Sequence, residues 1–284
     1  MNTGRSHEQT MKDIAASFRG VILDIFGVIH DGVKLYEPVL EALTKMRAAG
    51  MRICLLSNSP RRAGAVASRL SGMGLGPDLY HGLITSGEIA RAALADTART
   101  PAVRGRRYWH AGPPDLAGLL EGLALERVGQ IRRTDFILAT GNMEAGDDLL
   151  QQAQQQGLPM VCANPDIEVM IAEERILCAG FLAARYEAIG GKVIRFGKPE
   201  LLAYVSALRV LDLPATQVIA IGDSLATDIS GAKQAGICSA LVMTGIHRAE
   251  ACPDAVPDHK VLTALYERHK AVPDFLLDRF SWTC

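Results

Sequence analysis

Four groups of polar residues follow apolar runs along the chain, and together they suit the handling of a phosphate group. Asp24 ends the run "GVIL", Ser57 ends "RICLL", Lys198 follows "VIRFG", and "GDSLATD" contains Asp223 and Asp228. Crowded carboxylates repel one another, and Mg²⁺, which prefers oxygen ligands, relieves that repulsion and attracts a phosphate. The hydroxyl and the ammonium can bind the remaining phosphate oxygens. A carboxylate beside the phosphorus can act as a nucleophile and form an aspartyl-phosphate.

Each group alone is also typical of a turn or a helix cap. The segment "SNSP" can simply begin the helix that follows it, and Lys198-Pro199 can be a helix entry with proline at its first position. The functional interpretation therefore depends on the coincidence of all four groups at strand ends in one chain.

The elements that must position these residues are strands of a parallel sheet. Short apolar runs alternate with stretches of helical period, which is typical of an α/β fold. Ligands of such sheets bind outside the carboxyl ends of the strands, so the four groups should meet at one edge. The predicted strands are "GVILD" (20–24), "RICLLS" (52–57), "RRYWHAG" (106–112), "DFILATG" (135–141), "MVCANPD" (160–166), "VIRFGK" (193–198), "QVIAIGD" (217–223) and "CSALVMTG" (238–245).

Helix signals fall between these runs. Residues 38–50 open with proline, end at glycine and place apolar side chains on one face, which predicts a helix. Thr85 and Glu88 have the spacing of a capping box ahead of another helix. Two further helices are predicted over 61–74 and 179–191.

Composition narrows the class of protein. The chain has 284 residues, 49% hydrophobic and 21% charged, with a formal net charge of −1, so nothing favours nucleic acid or an anionic membrane surface as a partner. No segment approaches the roughly 18 apolar residues of a membrane helix. The first 20 residues lack a secretory signal and are expected to be a partly disordered lead-in. None of the six cysteines forms a CxxC pair, which favours free thiols in a reducing cytoplasm.

The four groups resemble, in order, the four motifs of the haloacid dehalogenase (HAD) superfamily. The first motif, Asp-x-Asp-Gly-(Val/Thr), is similar to "DIFGV" at 24–28, and the second to Ser57 in "LLSNSP". The third is similar to Lys198 in "FGKPE". The fourth, Gly-Asp-x-x-x-Thr-Asp, is matched in full at 222–228. The resemblance covers about residues 20–245.

The resemblance also implies a fold and a domain division. The second and third motifs are far apart, and "CANPD" followed by "AGFLAARYEAIGGKVIRFGKPE" is similar to class IIA, the branch of sugar phosphatases and nitrophenyl phosphatases. It implies a Rossmann-like parallel-sheet core formed by 1–86 and 190–284, with an inserted α/β cap of the class IIA type over 87–189. Class IIA relatives often pair through their caps, which implies a homodimer.

By resemblance, Asp24 is the nucleophile, and Ser57 and Lys198 hold the phosphoryl group of a small phosphorylated metabolite. The implied Mg²⁺ ligands are Asp24, the main-chain carbonyl of Phe26, Asp223 and Asp228. The residues expected near the substrate are Gly27, Asn58, Ser59, Asn164 and Asp166. For Asn58 and the two cap residues, a plain strand-to-helix turn is an equal alternative.

Phe26 departs from the family motif. The aspartate expected there protonates the leaving oxygen and later activates water, assistance typically worth about 10²–10⁴-fold in rate. His30 and Asp31 are nearby candidates to replace it, although both are also typical of a surface loop. If nothing replaces it, we expect weak activity or a preference for good leaving groups such as acyl phosphates.

Three functions remain open on the sequence. The first is a Mg²⁺-dependent phosphohydrolase that acts through Asp24. The second is a binding or regulatory protein that keeps the phosphate site but turns over little, because Phe26 has removed the acid. The third is a dinucleotide-binding enzyme, which the absence of G-x-G-x-x-G after the first strand disfavours.

Overall fold

Two parallel sheets form the framework of the computed structural model, which describes residues 10–96, 100, 102–143, 147–171, 174–252 and 256–283. The strands are β1 (Gly20–Leu23), β2 (Arg52–Ser57), β3 (Gly82–Thr85), β4 (Arg107–Ala111), β5 (Glu126–Arg127), β6 (Phe136–Ala139), β7 (Pro159–Cys162), β8 (Glu168–Ile171), β9 (Glu174–Leu177), β10 (Lys192–Arg195), β11 (Val218–Gly222), β12 (Cys238–Val242) and β13 (Phe275–Leu277).

The α-helices connect these strands and cover the sheets. They are α1 (Met11–Ser17), α2 (Val39–Ala48), α3 (Ala63–Gly72), α4 (Ser86–Ala95), α5 (Asp147–Gln155), α6 (Ala179–Ala188), α7 (Leu201–Leu211), α8 (Ser230–Gln234), α9 (Arg248–Ala251) and α10 (His259–His269). A π-helical turn, Leu225–Ile229, precedes α8.

The first sheet has the order β13-β12-β11-β1-β2-β3, and all its strands are parallel. Val21 and Leu23 of β1 pack with α2, whereas Ile22 packs on the opposite side with α7. Successive strand side chains point to opposite faces, so a strand covered on both faces must be apolar throughout. A charged side chain therefore cannot be accommodated before Asp24, the first residue after β1.

The second sheet has the order β10-β7-β6-β4-β5 and is also parallel. Its strands lie between residues 107 and 195 of the chain. Tyr186 of α6 packs against one face, and its hydroxyl donates a hydrogen bond to the carbonyl of Leu158 at 2.7 Å. Strands β8 and β9 form a separate antiparallel hairpin.

All of the predicted strands and helices are present. The eight predicted strands correspond to β1, β2, β4, β6, β7, β10, β11 and β12, and the four predicted helices to α2, α3, α4 and α6. Thr85 caps α4 by accepting a hydrogen bond from the Glu88 N–H at 3.0 Å. Glu88, however, bonds Arg62 and the Ala63 N–H instead of completing the capping box.

The expected partly disordered lead-in contains a helix at residues 11–17 that the sequence analysis did not predict, and residues 1–9 lie outside the described residues. Thr10 and Asp13 form a capping box that starts α1. Met11 and Ile14 are buried in the core. Their burial stabilises a helix too short to persist alone in water.

The domain division at residue 190 stays a prediction, although β10 at 192–195 still pairs in the second sheet. Within the described ranges, no helix is long and apolar enough to cross a bilayer. The cysteines at 54, 162, 178, 238 and 252 are free thiols, and Cys284 lies outside the described residues.

His110, a buried residue of β4 in the second sheet, is expected to make the stability of the protein depend on pH. Its Nε2 lies 2.7 Å from Thr140 Oγ1, and burial, followed by the charge of Arg127, lowers its pKa to about 4. Between pH 6.5 and 4 the unfolded chain therefore binds the proton and the folded chain does not. Stability falls as pH drops through this window, by up to about 1.4 kcal/mol per pH unit for one histidine.

We expect His110→Gln to reduce the slope of the unfolding midpoint against pH between pH 6.5 and 4, while His30 and His247, whose pKa values are also lowered to about 4, keep their contributions. Replacement of the exposed His259 is the matched control. Parallel curves for wild type and His110→Gln would contradict the assignment.

Candidate active site

The predicted residues meet at the carboxyl edge of the first sheet. β1 ends at Leu23, and the next N–H, that of Asp24, donates to the carbonyl of Ile221 at 2.9 Å. The ammonium of Lys198 donates to Asp24 Oδ1, and to Asp228 Oδ1 at 2.6 Å. All three side chains are buried. One ammonium thus links the first, third and fourth motif-like segments.

Three carboxylates cluster at this edge, and two of them contact the ammonium. Asp24, Asp223 and Asp228 each place an oxygen within 4.8 Å of the others. Burial raises the pKa of Asp24 well above its usual range, Lys198 opposes the rise, and the neighbouring carboxylates reinforce it. Burial and then Asp228 raise the pKa of Asp223 to about 7. Burial lowers the pKa of Lys198, but Asp228 and Asp24 outweigh this and hold it well above its usual value.

Backbone groups fix the orientation of two carboxylates. The Ile246 N–H donates to Asp223 Oδ2 at 2.8 Å, and the Ser224 N–H donates to Asp228 Oδ2 at 3.2 Å. A Cβ on Gly222 would lie 2.0 Å from Asp228 Cγ, so only glycine permits this approach. The close approach of Asp228 thus explains why glycine occupies position 222 in "GDSLATD".

The loop after Asp24 presents an open carbonyl. Gly27 has φ of +80°, its N–H donates to the His30 carbonyl at 2.9 Å, and Thr244 Oγ1 donates to its carbonyl at 2.5 Å. Both polar backbone groups of Gly27 are therefore engaged within the protein, and its predicted substrate contact stays a prediction. Among the described residues, no group donates a hydrogen bond to the Phe26 carbonyl.

The donor set fits a divalent cation of the Mg²⁺ type. The carboxylate oxygens of Asp24, Asp223 and Asp228 are hard oxygen ligands that lie together, and the Phe26 carbonyl stays a predicted further ligand. A second positive charge would also offset the excess of carboxylates that raises the pKa of Asp24.

His30 and Asp31 are held within their own loop. His30 Nδ1 accepts from the Gly32 N–H at 2.9 Å, its ring packs edge-on against Phe26, and burial and then Arg69 lower its pKa to about 4. Asp31 Oδ1 accepts from the N–H groups of residues 33 and 34. Both side chains therefore brace the loop.

Ser57 and the two residues after it form the turn beyond β2. The Ser59 N–H donates to Ser57 Oγ at 3.1 Å. Asn58 bridges to the third motif, because its Oδ1 accepts from the Lys198 N–H at 2.7 Å and its Nδ2 donates to the Lys198 carbonyl at 3.0 Å. The structure thus fixes the side chain of Asn58 against Lys198.

The two predicted cap residues differ in their contacts. Asn164 Oδ1 accepts from the Asp166 N–H at 3.2 Å, which is a local turn contact. Asp166 Oδ1 accepts from Asn58 Nδ2 at 2.8 Å and so reaches the edge of the first sheet. Burial raises the pKa of Asp166 to about 6, although Lys198 and the Asn58 bond oppose the rise.

Several supporting contacts were not predicted from the sequence. Thr244 and Ile246 follow β12 and hold Gly27 and Asp223. Ser86, at the start of α4, donates to the carbonyl of Phe196. "VMTG" at a strand end was the available signal for Thr244, whereas the Ile246 contact uses only its backbone and leaves no trace in residue type.

Comparisons with known proteins agree with this geometry. The family described as "Haloacid dehalogenase-like hydrolase" matches residues 21–126, and "HAD-hydrolase-like" matches residues 195–268. A haloacid dehalogenase-like hydrolase from Brucella suis superposes with a TM-score of 0.81 at 28% identity, covering 95% of this chain and 98% of that one. The chain belongs to the haloacid dehalogenase-like hydrolases. Its relatives support class IIA and phosphatase activity.

Two relatives of this hydrolase are informative. The sugar-phosphatase AraL of Bacillus subtilis is 27% identical over 82% of this chain and 86% of its own. A glycerol phosphate phosphatase from Mycobacterium tuberculosis, solved in complex with magnesium, is 24% identical with a TM-score of 0.69, covering 96% of this chain and 78% of that one. The latter likeness shows the fold.

The carboxylate cluster predicts a stabilising effect of Mg²⁺. At a free concentration about 100 times Kd, a ligand of the folded state alone adds about 2.7 kcal/mol to the free energy of unfolding. We expect Mg²⁺ to raise the unfolding midpoint of the wild type but not of Asp223→Asn. Without metal, Asp223→Asn should be at least as stable as wild type because it removes repulsion.

Asp115→Asn is the control for this measurement, since Asp115 pairs with Arg61 at 2.6 Å and is not one of the three clustered carboxylates. It should respond to Mg²⁺ as the wild type does. An equal response of Asp223→Asn would show that the cluster is not the binding site.

Proposed function

We propose that this hydrolase is a Mg²⁺-dependent phosphohydrolase of a small phosphorylated metabolite, and that Asp24 is its nucleophile. The observation that carries the proposal is the contact between Lys198 and the carboxylates of Asp24 and Asp228 at the open edge of the sheet. The magnesium complex of the mycobacterial relative supports the choice of metal.

Asp24, Asp223, Asp228 and the Phe26 carbonyl would hold the cation. When bound, it would neutralise carboxylate charge and polarise the phosphoryl group. Lys198 aims one Asp24 oxygen through its hydrogen bond and supplies positive charge for phosphate oxygens.

The reaction divides into two displacements. Asp24 attacks phosphorus while the bond to the leaving oxygen breaks, which gives an aspartyl-phosphate, and water then releases phosphate and regenerates the carboxylate. We assign phosphoryl contacts to Ser57 and substrate contacts to Asn58, Ser59, Gly27 and Asn164. The segment 87–189 is proposed as the cap that selects the substrate, with Asp166 reaching the site from it.

Phe26 sets the expected substrate preference. Its side chain has no proton to give, so leaving groups that need little protonation should react best. The absence of that carboxyl is also what favours the second candidate, a phosphate-binding or regulatory protein. Homodimer formation stays a prediction, as does the cytoplasmic location favoured by five free thiols.

Phosphate release tests the proposal. We expect Mg²⁺-dependent release from acetyl phosphate and p-nitrophenyl phosphate at rates at least about tenfold above an alkyl phosphate. Asp24→Asn should abolish release from all three while inorganic phosphate still binds in the presence of Mg²⁺.

Phe26→Asp separates the two candidates. A wild type that binds phosphate but releases none, together with activity gained in Phe26→Asp, would favour the binding protein. Rates that are equal across leaving groups in the wild type would contradict a preference set by Phe26 alone and would mean that another residue supplies the proton.

A further inference from the structure

The carboxyl that Phe26 lacks has a counterpart on the inserted segment. Asp166 lies outside the proposed metal ligands, and its Oδ1 accepts a hydrogen bond at 2.8 Å from Nδ2 of Asn58, a proposed substrate-contacting residue in the turn after β2. The nearer candidates, His30 and Asp31, are engaged in their own loop.

The backbone of Asp166 is fixed on both sides. Its N–H donates to Asn164 Oδ1 at 3.2 Å, and its carbonyl accepts from the Gly180 N–H at 3.1 Å. A Cβ on Gly180 would lie 2.1 Å from the Pro165 carbonyl oxygen, so only glycine fits at this position in the first turn of α6. The loop therefore holds Asp166 at a defined position. A residue that acts on substrate has to be positioned in this way.

Asn58 connects Asp166 to the reacting groups. The same amide that donates to Asp166 Oδ1 is clamped by both backbone groups of Lys198. Lys198 in turn contacts Asp24 through its ammonium. In the described part of the chain nothing donates to Asp166 Oδ2, so this oxygen is open to hold a proton while Oδ1 accepts from Asn58.

Burial gives this carboxyl suitable chemistry. Its pKa of about 6 means that protonated and ionised forms are both populated near neutral pH. A group that must first give and later take a proton works best with a pKa close to the operating pH.

We propose that Asp166 supplies the general acid and base that Phe26 cannot supply. The assignment rests on the proposed phosphohydrolase function. In the first step, an Asp24 oxygen bonds to phosphorus, the phosphorus–oxygen bond of the substrate breaks, and the Asp166 proton passes to the leaving oxygen. In the second step, ionised Asp166 takes a proton from a water molecule while the oxygen of that water bonds to phosphorus. The bond between phosphorus and Asp24 breaks at the same time.

Asp166→Asn tests this role, because the amide oxygen can still accept the bond from Asn58 but the side chain holds no transferable proton. With Mg²⁺ present, we expect kcat/KM on an alkyl phosphate to fall by about 100-fold or more. On acetyl phosphate, whose leaving group needs no proton, the loss should be less than about threefold. A purely structural role would lower both rates equally.

Asp115→Asn is the matched control, since it also removes a carboxylate that bonds across to the loop after β2. Its rates should fall equally, if at all, across the leaving groups. The double variant Phe26→Asp/Asp166→Asn should regain alkyl phosphate hydrolysis by about tenfold or more over Asp166→Asn, because the family acid is restored.

A uniform loss or no loss in Asp166→Asn, in an active wild type, overturns the Asp166 assignment alone. So does an absence of recovery in a double variant that Mg²⁺ still stabilises. A wild type that releases no phosphate from any of the three substrates overturns the proposed function as well.

Discussion

The ammonium of Lys198 lies between two buried carboxylates, and the rest of the site is arranged around that contact. One positive charge faces three negative ones within a few ångströms. Burial removes the water that would otherwise screen them, so the excess charge must be met by protons or by another cation. The raised pKa values of Asp24 and Asp223 express this imbalance. The site thus favours the binding of a cation, and a bound cation would in turn attract an anion such as phosphate.

The sheet allows such a concentration of charge only at its edge. β1 is apolar on both faces and ends immediately before Asp24. The turns beyond the strands then supply backbone N–H groups to Asp223 and Asp228, which hold the carboxylates without adding further side chains. Gly222 permits the close approach of the Asp228 side chain to the backbone. A residue without a functional side chain thus determines where a catalytic carboxylate can lie.

The sequence predicted the parts of the fold that local patterns encode. Apolar runs identified the central strands, and the rule for parallel sheets brought their polar ends together. The hairpin β8–β9 was missed because its residues are largely exposed and show no buried alternation. Helix α1 was missed because its stability comes from distant packing. The Asn58–Asp166 bond joins residues 108 positions apart, and no local pattern encodes such a partner.

The chain leaves the first sheet and returns to it at neighbouring points. Ser86 donates to the carbonyl of Phe196, and a Cβ on Gly197 would lie 2.5 Å from Asn58 Oδ1 and 2.8 Å from Ser86 Oγ. The segment between these points is therefore an insertion whose two connections to the first sheet lie side by side. Insertions of other lengths can begin and end at the same two positions without a change in the strands of the first sheet. Exchange of this segment would leave the carboxylate cluster and Lys198 in place but would replace Asp166, so the proposed metal site and the proposed general acid lie on separately exchangeable parts of the chain.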